Sequence, residues 1–364
     1  MIFTYGTSIQ GDDHVKWDNT PCQDANRIET LENGWVIAAV ADGVGSAKNS
    51  QDGSRIAVDT VVDFCIENMP FNGTTKIKKE DVLALLKIGY FKAFKNIIEL
   101  SQKTKEPLNS YDTTLDVVIY NGNTLLYGHC SDGGIIVLGD LGEYEVITTR
   151  MKGEDGESMI PLRFTEEWEF NSYDFPVSSV MIFTDGVFDF VDNKKLEINW
   201  TTPLYVNVLK NFSSPQINGK PIKKVSDLTS ELDEFMKKDF WKVVSDDKTV
   251  VTLINLDKNY PVSPNPHYYD EPDWKKIDEK INAALYPSAS KGSTTGEDYI
   301  IPRIAQKKDE QISLPKISEE DNHFANKPIK TSKYEEDAFD RFENGARKAW
   351  NKLTKNPEVD KDKW

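Results

Sequence analysis

Apolar residues along this chain fall into short unbroken runs of strand length and two longer stripes of helical period. The run Gly34–Asp42, GWVIAAVAD, is rich in Val and Ile, is bounded by Asn33-Gly34 and Gly43, and predicts a buried strand. Thr113–Asn121 and Thr124–Asp132 are two further runs joined across Asn121-Gly122-Asn123, a hairpin signal because Asn and Gly tolerate the positive φ of a tight turn. GIIVLGDLGEYEVI continues this meander, with its turn at Gly139–Gly142. Ser178–Asp185 and Thr249–Leu256 predict two more apolar strands, separated by a more polar insertion from about Phe188 to Ser245. Helical period appears twice: Ala57, Val61, Phe64 and Cys65 share one face after Ser54, and Val82, Leu86, Ala93, Ile97 and Leu100 form a longer stripe between Lys78 and Gln102. Sheets and helices with one apolar side each predict a layered sandwich of sheets covered by helices.

The texture changes after Leu256, where DKNYPVSPNPHYYDEPDW concentrates prolines and SASKGSTTGED is linker-like. A boundary is expected near Asp257, giving a domain over residues 1–257 and a Pro-rich linker with a partly helical, charged tail over 258–364. In that tail Trp274, Ile277, Ile281 and Leu285 share a helical face, as do Phe342, Ala346, Ala349 or Trp350, and Leu353. Such faces either pack on the chain's own core or dock a protein partner.

Composition adds limits. Of 364 residues, 38% are apolar and 11% aromatic, enough for a sizeable core in the first two thirds. Basic and acidic side chains nearly balance from residue 258 onward, so almost all of the net charge of −16 lies before it. A field of that sign repels nucleic acid and anionic membranes and concentrates divalent cations. Cys22, Cys65 and Cys130 are odd in number and lack CxxC spacing, which argues against a disulfide framework or thiolate zinc site and fits a reducing cytoplasm. The N-terminus has neither a basic start nor an apolar stretch, and no run approaches the ~18 apolar residues of a membrane span, so a soluble, cytoplasmic protein is expected.

The candidate chemistry lies in aspartates at strand ends: Asp42-Gly43, Asp132-Gly133, Asp185-Gly186 and Asp246-Asp247, with Asp24 preceding the first strand. A lone strand-end Asp is usually a turn former, because its carboxylate accepts from the next backbone N–H groups. Four apolar strands each delivering a carboxylate to the strand tip instead match the way hard-cation sites are built, and oxygen donors with only four histidines in the chain suit Mg²⁺ or Mn²⁺.

Six segments, CQDAN, AVADGVGSA, DTTLDVVIY, HCSDGG, MIFTDGVFDFV and SDDKTVVTL, stand in an order and spacing that resemble the metal-dependent type 2C serine/threonine protein phosphatases, most closely a bacterial-type branch, from about Tyr5 to Leu256. The resemblance implies an α+β fold, a four-layer sandwich of two antiparallel β-sheets flanked by helices, with a two-metal site in the cleft. It implies hydrolysis of phosphoserine or phosphothreonine in proteins by water activated between the two cations, with Asp42, Asp185 and Asp246 catalytic. By position, Asp42 bridges both metals, Gly43 lends a carbonyl, Asp185 and Asp246 hold the first metal, Asp24 supports the second, and Asp132 matches the place of a looser third. The implied partner is a phosphoprotein, the substrate of a Ser/Thr kinase, with no nucleic acid and no membrane.

The chain also departs from the family pattern. Gln23 stands where the family has Glu, Val44 where it has a histidine, and Asn19 where many members have a phosphate-binding Arg. His14 or Lys16 can take the phosphate, although Lys16 reads first as a solvated surface residue. Cys130 reads as a buried strand residue rather than a nucleophile, Thr113 and Thr114 as strand formers that can line the cleft, and Asp189 as at best a helper to Asp185. Two other functions stay open: a catalytically weak phosphatase-like module that binds phosphoproteins or scaffolds a signalling complex, and a metal-dependent hydrolase of small phosphoesters or nucleotides.

Overall fold

The computed structural model describes residues 1–18, 20–69, 78–153, 159–192, 202–217, 220–221, 224–238, 244–273, 275–276 and 279. The chain divides into two compact units, residues 1–103 with 108–306 and residues 104–107 with 307–364. The strands run β1 (Ile2–Ile9), β2 (Ala25–Thr30), β3 (Val36–Ala41), β4 (Leu115–Tyr120), β5 (Leu125–Cys130), β6 (Gly134–Gly139), β7 (Tyr144–Val146), β8 (Glu169–Tyr173), β9 (Val177–Phe183), the short β10 (Gln216–Ile217) and β11 (Lys220–Pro221), and β12 (Lys248–Asn255). The helices are α1 (Ser50–Asn68), α2 (Lys79–Thr104), α3 (Asp185–Val191), α4 (Val206–Ser213) and α5 (Val225–Met236).

Two five-stranded antiparallel sheets result, ordered β1-β12-β9-β6-β7 and β2-β3-β4-β5-β8. Their facing sides form one apolar cluster in which Val36, Ala38, Val40, Val118 and Tyr120 meet Ile135, Val137, Val180, Ile182, Val251 and Leu253. The alternate residues of the strands point the other way. On one side Phe3, Ile136, Met181, Phe183 and Ile254 pack with Phe188, Leu209, Phe212, Leu228 and Leu232 from α3, α4 and α5. On the other side α1 lies on β2 and β3, and the Tyr90 hydroxyl of α2 donates to the Leu115 carbonyl at 2.9 Å. The chain therefore has the expected α+β fold, a helix–sheet–sheet–helix sandwich. Because strands such as β3, β4 and β9 are covered on both faces, their residues are buried without alternation and mostly apolar.

Two expectations need correction. The meander does not continue from β5 into β6: β5 pairs with β8, while β6 pairs with β9 in the opposite sheet. The crossing at Ser131–Gly134 depends on glycines, since a Cβ on Gly133 would overlap the Phe183 carbonyl and one on Gly134 the Phe188 ring. The segment from Phe188 to Ser245 is not merely a polar insertion, because it supplies α4 and α5 and so the outer layer of the β12 sheet.

Past Leu256 the chain continues along the core. Tyr268 is buried, its ring stacks on Tyr144 at 6.4 Å and its hydroxyl accepts from the Tyr144 amide at 2.5 Å. The Lys210 ammonium sits 3.8 Å over the Tyr269 ring. The tail faces built on Trp274, Ile277, Ile281 and Leu285, and on Phe342, Ala346, Ala349 or Trp350, and Leu353, lie outside the described residues. No helix among the described residues is long and apolar enough to cross a membrane.

Candidate metal centre

The acidic residues collect at one end of the sandwich because antiparallel pairing places the end of β3, the β5–β6 crossing, the end of β9 and the start of β12 together. Asp42 follows β3 and its backbone is held by two threonines: its amide donates to Thr114 Oγ1 at 2.8 Å, and its carbonyl accepts from Thr113 Oγ1 and the Thr114 amide, both at 2.8 Å. Thr113 and Thr114 thus fix the strand end. Asp185 opens α3, and Asp132 lies in the crossing between the sheets. One carboxylate oxygen each from Asp42, Asp132 and Asp185 lie within 4.8 Å of one another.

Asp24 and Asp246 do not join that triad but stand close enough for their charges to act on it. Asp24 is buried, and its Oδ2 accepts from the Thr184 hydroxyl at 2.8 Å. The Asp246 carboxylate accepts from the Asp247 amide at 2.8 Å. Burial pushes the Asp24 carboxyl up to about 7, with the Asp247 charge adding to it. Burial also pushes Asp185 up to about 7, helped by Asp132 and Asp246. Asp42 is driven well above the carboxylate range, first by burial and then by Asp24, Asp185, Asp246 and Asp132. Several carboxylates in one low-dielectric cleft cannot all ionise unless a cation enters.

The donor set fits such a cation. Asp24 Oδ1, Asp132 Oδ1 and Gln23 Oε1 are buried without a hydrogen-bond partner, a costly condition unless something else satisfies them. All these donors are oxygens, as Mg²⁺ and Mn²⁺ prefer. Gly43 is buried at the same strand end and bridges Thr113; a Cβ there would come within 2.7 Å of the Gln23 carbonyl. Val44 donates its amide to the Asp112 carbonyl at 3.0 Å.

The phosphate candidates separate. The Lys16 ammonium pairs with Asp12 at 3.3 Å and is 59% exposed. His14 Nδ1 instead lies 3.1 Å from Asp247 Oδ1, beside Asp246. Asn19 lies outside the described residues. Cys130 is buried and its thiol is pushed well up by that burial, which leaves a poor nucleophile. Asp189 is exposed and pairs with Arg150.

Two residues of the site escape sequence reasoning, Thr184 and Lys152, and a third, Asp247, enters it only as the neighbour of Asp246. Thr184 donates to Asp24 and accepts from the Thr249 amide at 3.1 Å, which ties β9 to β12. Asp247 is buried and accepts from the Gly11 and Gln23 amides, each at 2.6 Å, as well as contacting His14. Its place beside Asp246 was the available signal. Lys152 pairs with Asp132, and no local pattern marks it.

Comparison with known proteins follows the same line. The family model described as Protein phosphatase 2C matches residues 10–218. A crystal structure of a bacterial serine phosphatase superposes with a TM-score of 0.50 at 12% identity, covering 71% of this chain and 100% of its own. The serine/threonine phosphatase Stp1 from Staphylococcus aureus gives 0.48 at 13% identity, with 70% and 95% covered. The catalytic domain of the serine threonine protein phosphatase PstP, solved with two manganese ions, gives 0.45 at 17% identity, with 70% and 99% covered. No curated protein matches the sequence.

Proposed function

The chain belongs to the protein phosphatase 2C family, and from that premise we propose that it removes phosphate from phosphoserine or phosphothreonine in proteins, using two Mg²⁺ or Mn²⁺ ions. The observation that carries this reading is the convergence of Asp42, Asp132 and Asp185 within 4.8 Å, next to buried carboxylate oxygens without a hydrogen-bond partner among the described residues.

Asp42, Asp185 and Asp246 are the catalytic carboxylates in this reading. Asp42 would serve both ions and the Gly43 carbonyl would lend a further oxygen, while Asp185 and Asp246 would hold one ion and Asp24 would support the other. The ions, when bound, offset charge on the phosphoryl oxygens and acidify a water for attack. The chain's own contribution is placement. Thr113 and Thr114 lock the Asp42 backbone, and Thr184 aims the Asp24 carboxylate. Gln23, where the family has Glu, keeps its amide oxygen buried and unpartnered while its nitrogen donates to Ser50 at 2.5 Å. That leaves an acceptor able to hold an ordered water.

His14 takes the phosphate role in place of Lys16. With Nδ1 on the Asp247 carboxylate, its Nε2 would be the atom offered to a phosphoryl or leaving-group oxygen. The substrate is then the product of a Ser/Thr kinase in the same cytoplasmic compartment, and the tail that follows the Tyr268 packing can dock a protein partner.

The test is hydrolysis of an aryl phosphate and of a phosphothreonine peptide with Mn²⁺, with Mg²⁺ and with chelator. Turnover is expected with metal, to disappear with chelator, and to fall at least ~10²-fold in Asp42→Ala and Asp185→Ala, the scale of losing one charge-stabilising group. Faster turnover of nucleotides than of the phosphopeptide would move the assignment to small phosphoesters. Absence of turnover by folded, metal-loaded protein would leave the phosphoprotein-binding module as the function.

A further inference from the structure

The carboxylate triad contains an unequal member. Asp132 is almost completely buried, with a relative exposure of 2%. Its Oδ1 has no hydrogen-bond partner, while its Oδ2 accepts from the Lys152 ammonium. A positive charge is therefore already fixed on one side of the cluster.

This pair is built into the fold. Residues 149–152 are fastened at every position. The Thr149 carbonyl accepts from His129 Nε2 at 2.7 Å, and His129 Nδ1 lies 2.6 Å from Asp116 Oδ1. The Thr149 carbonyl can only accept, so Nε2 of the buried ring is the nitrogen that donates to it. Arg150 pairs with Asp189, donates to the Asp192 carbonyl at 3.4 Å and lies 4.4 Å over the Phe188 ring. The Met151 amide donates to the Ser131 carbonyl at 3.0 Å, which lays the segment beside the crossing that carries Asp132. Lys152 itself bridges Met159. A lysine delivered this way, with its side chain 32% exposed against 3% for the carboxylate, has little freedom to choose another partner.

We propose that Lys152 is a tethered cation of the metal centre, holding Asp132 so that no divalent ion beyond the first two binds there. The inference rests on the two-ion reading above and deepens it. An ammonium and a divalent ion compete for the same carboxylate oxygen, and two like charges a few ångströms apart in a buried cluster repel strongly. With Lys152 in place, Asp132 has a single oxygen to offer and its charge is already balanced. Removing the ammonium leaves a buried carboxylate with both oxygens unsatisfied next to Asp42 and Asp185, a ready ligand set for a further ion.

The experiment counts Mn²⁺ bound per chain, by calorimetric titration and by the spin-resonance signal of free Mn²⁺, in the full-length protein and three variants. Wild type is expected to take up two ions. Lys152→Gln, which keeps the length and loses the charge, is expected to take up three. Lys152→Arg is expected to return to two, and Lys152→Gln combined with Asp132→Asn to lose the added ion. Three ions in wild type, or two in a folded Lys152→Gln protein, overturns the proposal while leaving the phosphatase reading intact. Failure of wild type to bind any Mn²⁺ overturns both.

Discussion

Adjacent aspartates at the start of β12 do opposite work, and single substitutions separate them. Asp247 is an acceptor for the chain itself, closing the Gly11 and Gln23 amides and steadying His14. Replacing it with alanine strands two buried N–H groups, so Asp247→Ala is expected to lose roughly 2–4 kcal/mol of stability, the cost of leaving two donors unmet. Asp247→Asn keeps one accepting oxygen and is expected to lose about half as much, which urea unfolding of metal-free protein measures directly. Among the described residues Asp246 binds no other element in that way, its carboxylate accepting from the neighbouring Asp247 amide. Asp246→Asn is therefore expected to keep its unfolding midpoint without metal and to lose Mn²⁺ affinity by roughly 10-fold or more, a drop of the size seen when a metal site loses a supporting group. Equal destabilisation by the two changes would refute the division.

Between elements, the site depends on how closely α3 approaches β12. A Cβ on Gly186 would overlap the Asp247 carbonyl, so Gly186→Ala is expected to push the first turn of α3 off the start of β12. Overpacking of this kind costs about 1–3 kcal/mol. The larger effect is on function, because Asp185 opens that turn and a displacement near 1 Å is enough to cost ~10²-fold in rate; phosphatase assays at saturating Mn²⁺ check it. The same close packing explains what is legible in the sequence. β3, β4, β5, β9 and β12 are covered on both faces and read as mostly apolar runs without alternation, and the aspartates at the tips of β3, β5, β9 and β12 point to the site. β1, β2 and β8 have half-exposed side chains that blur the signal. The transfer of β6 to the second sheet leaves no local trace, since it is decided by what Gly133 and Gly134 can squeeze past. The stripe Leu228, Leu232, Phe235 and Met236 of α5 did carry a readable helical period, while α4 is too short for one. Lys152 reaches Asp132 through the tertiary anchors of residues 149–152, the Met151–Ser131 hydrogen bond among them, and a contact set by tertiary register has no sequence pattern of its own.

For the molecule as a whole, the metal centre ties folding to pH. The net charge of −16 is spread over the surface, where salt screens it, but Asp24 is buried beside the half-buried Asp42 and Asp185, with the carboxyls of Asp24 and Asp185 raised to about 7 and that of Asp42 raised well above its ordinary value. Unfolded, they would titrate near 4. Between those values the folded chain binds protons that the unfolded chain has released, so metal-free stability should fall as pH rises from about 4 to about 7 and stay low above that. His129 adds to the trend. Burial alone would lower its pKa, but Asp116 outweighs that and raises it, so the stabilisation it gives is present at low pH and is lost as pH rises through the raised value. Divalent ions remove the carboxylate part only, by displacing those protons. Scanning calorimetry with chelator should therefore show a melting temperature that declines from pH 5 to pH 7.5. Mn²⁺ at a hundred times its dissociation constant should lift it by roughly 5–10 °C per ion near pH 7.5, from about 2.7 kcal/mol of linkage each, and by much less at pH 5. Titration at pH 6 in buffers of different ionisation heat should show protons leaving as the ion binds. A metal-free melting temperature that rises over this range would mean the carboxylates are ionised without metal, which buried like charges this close do not allow without a cation of their own.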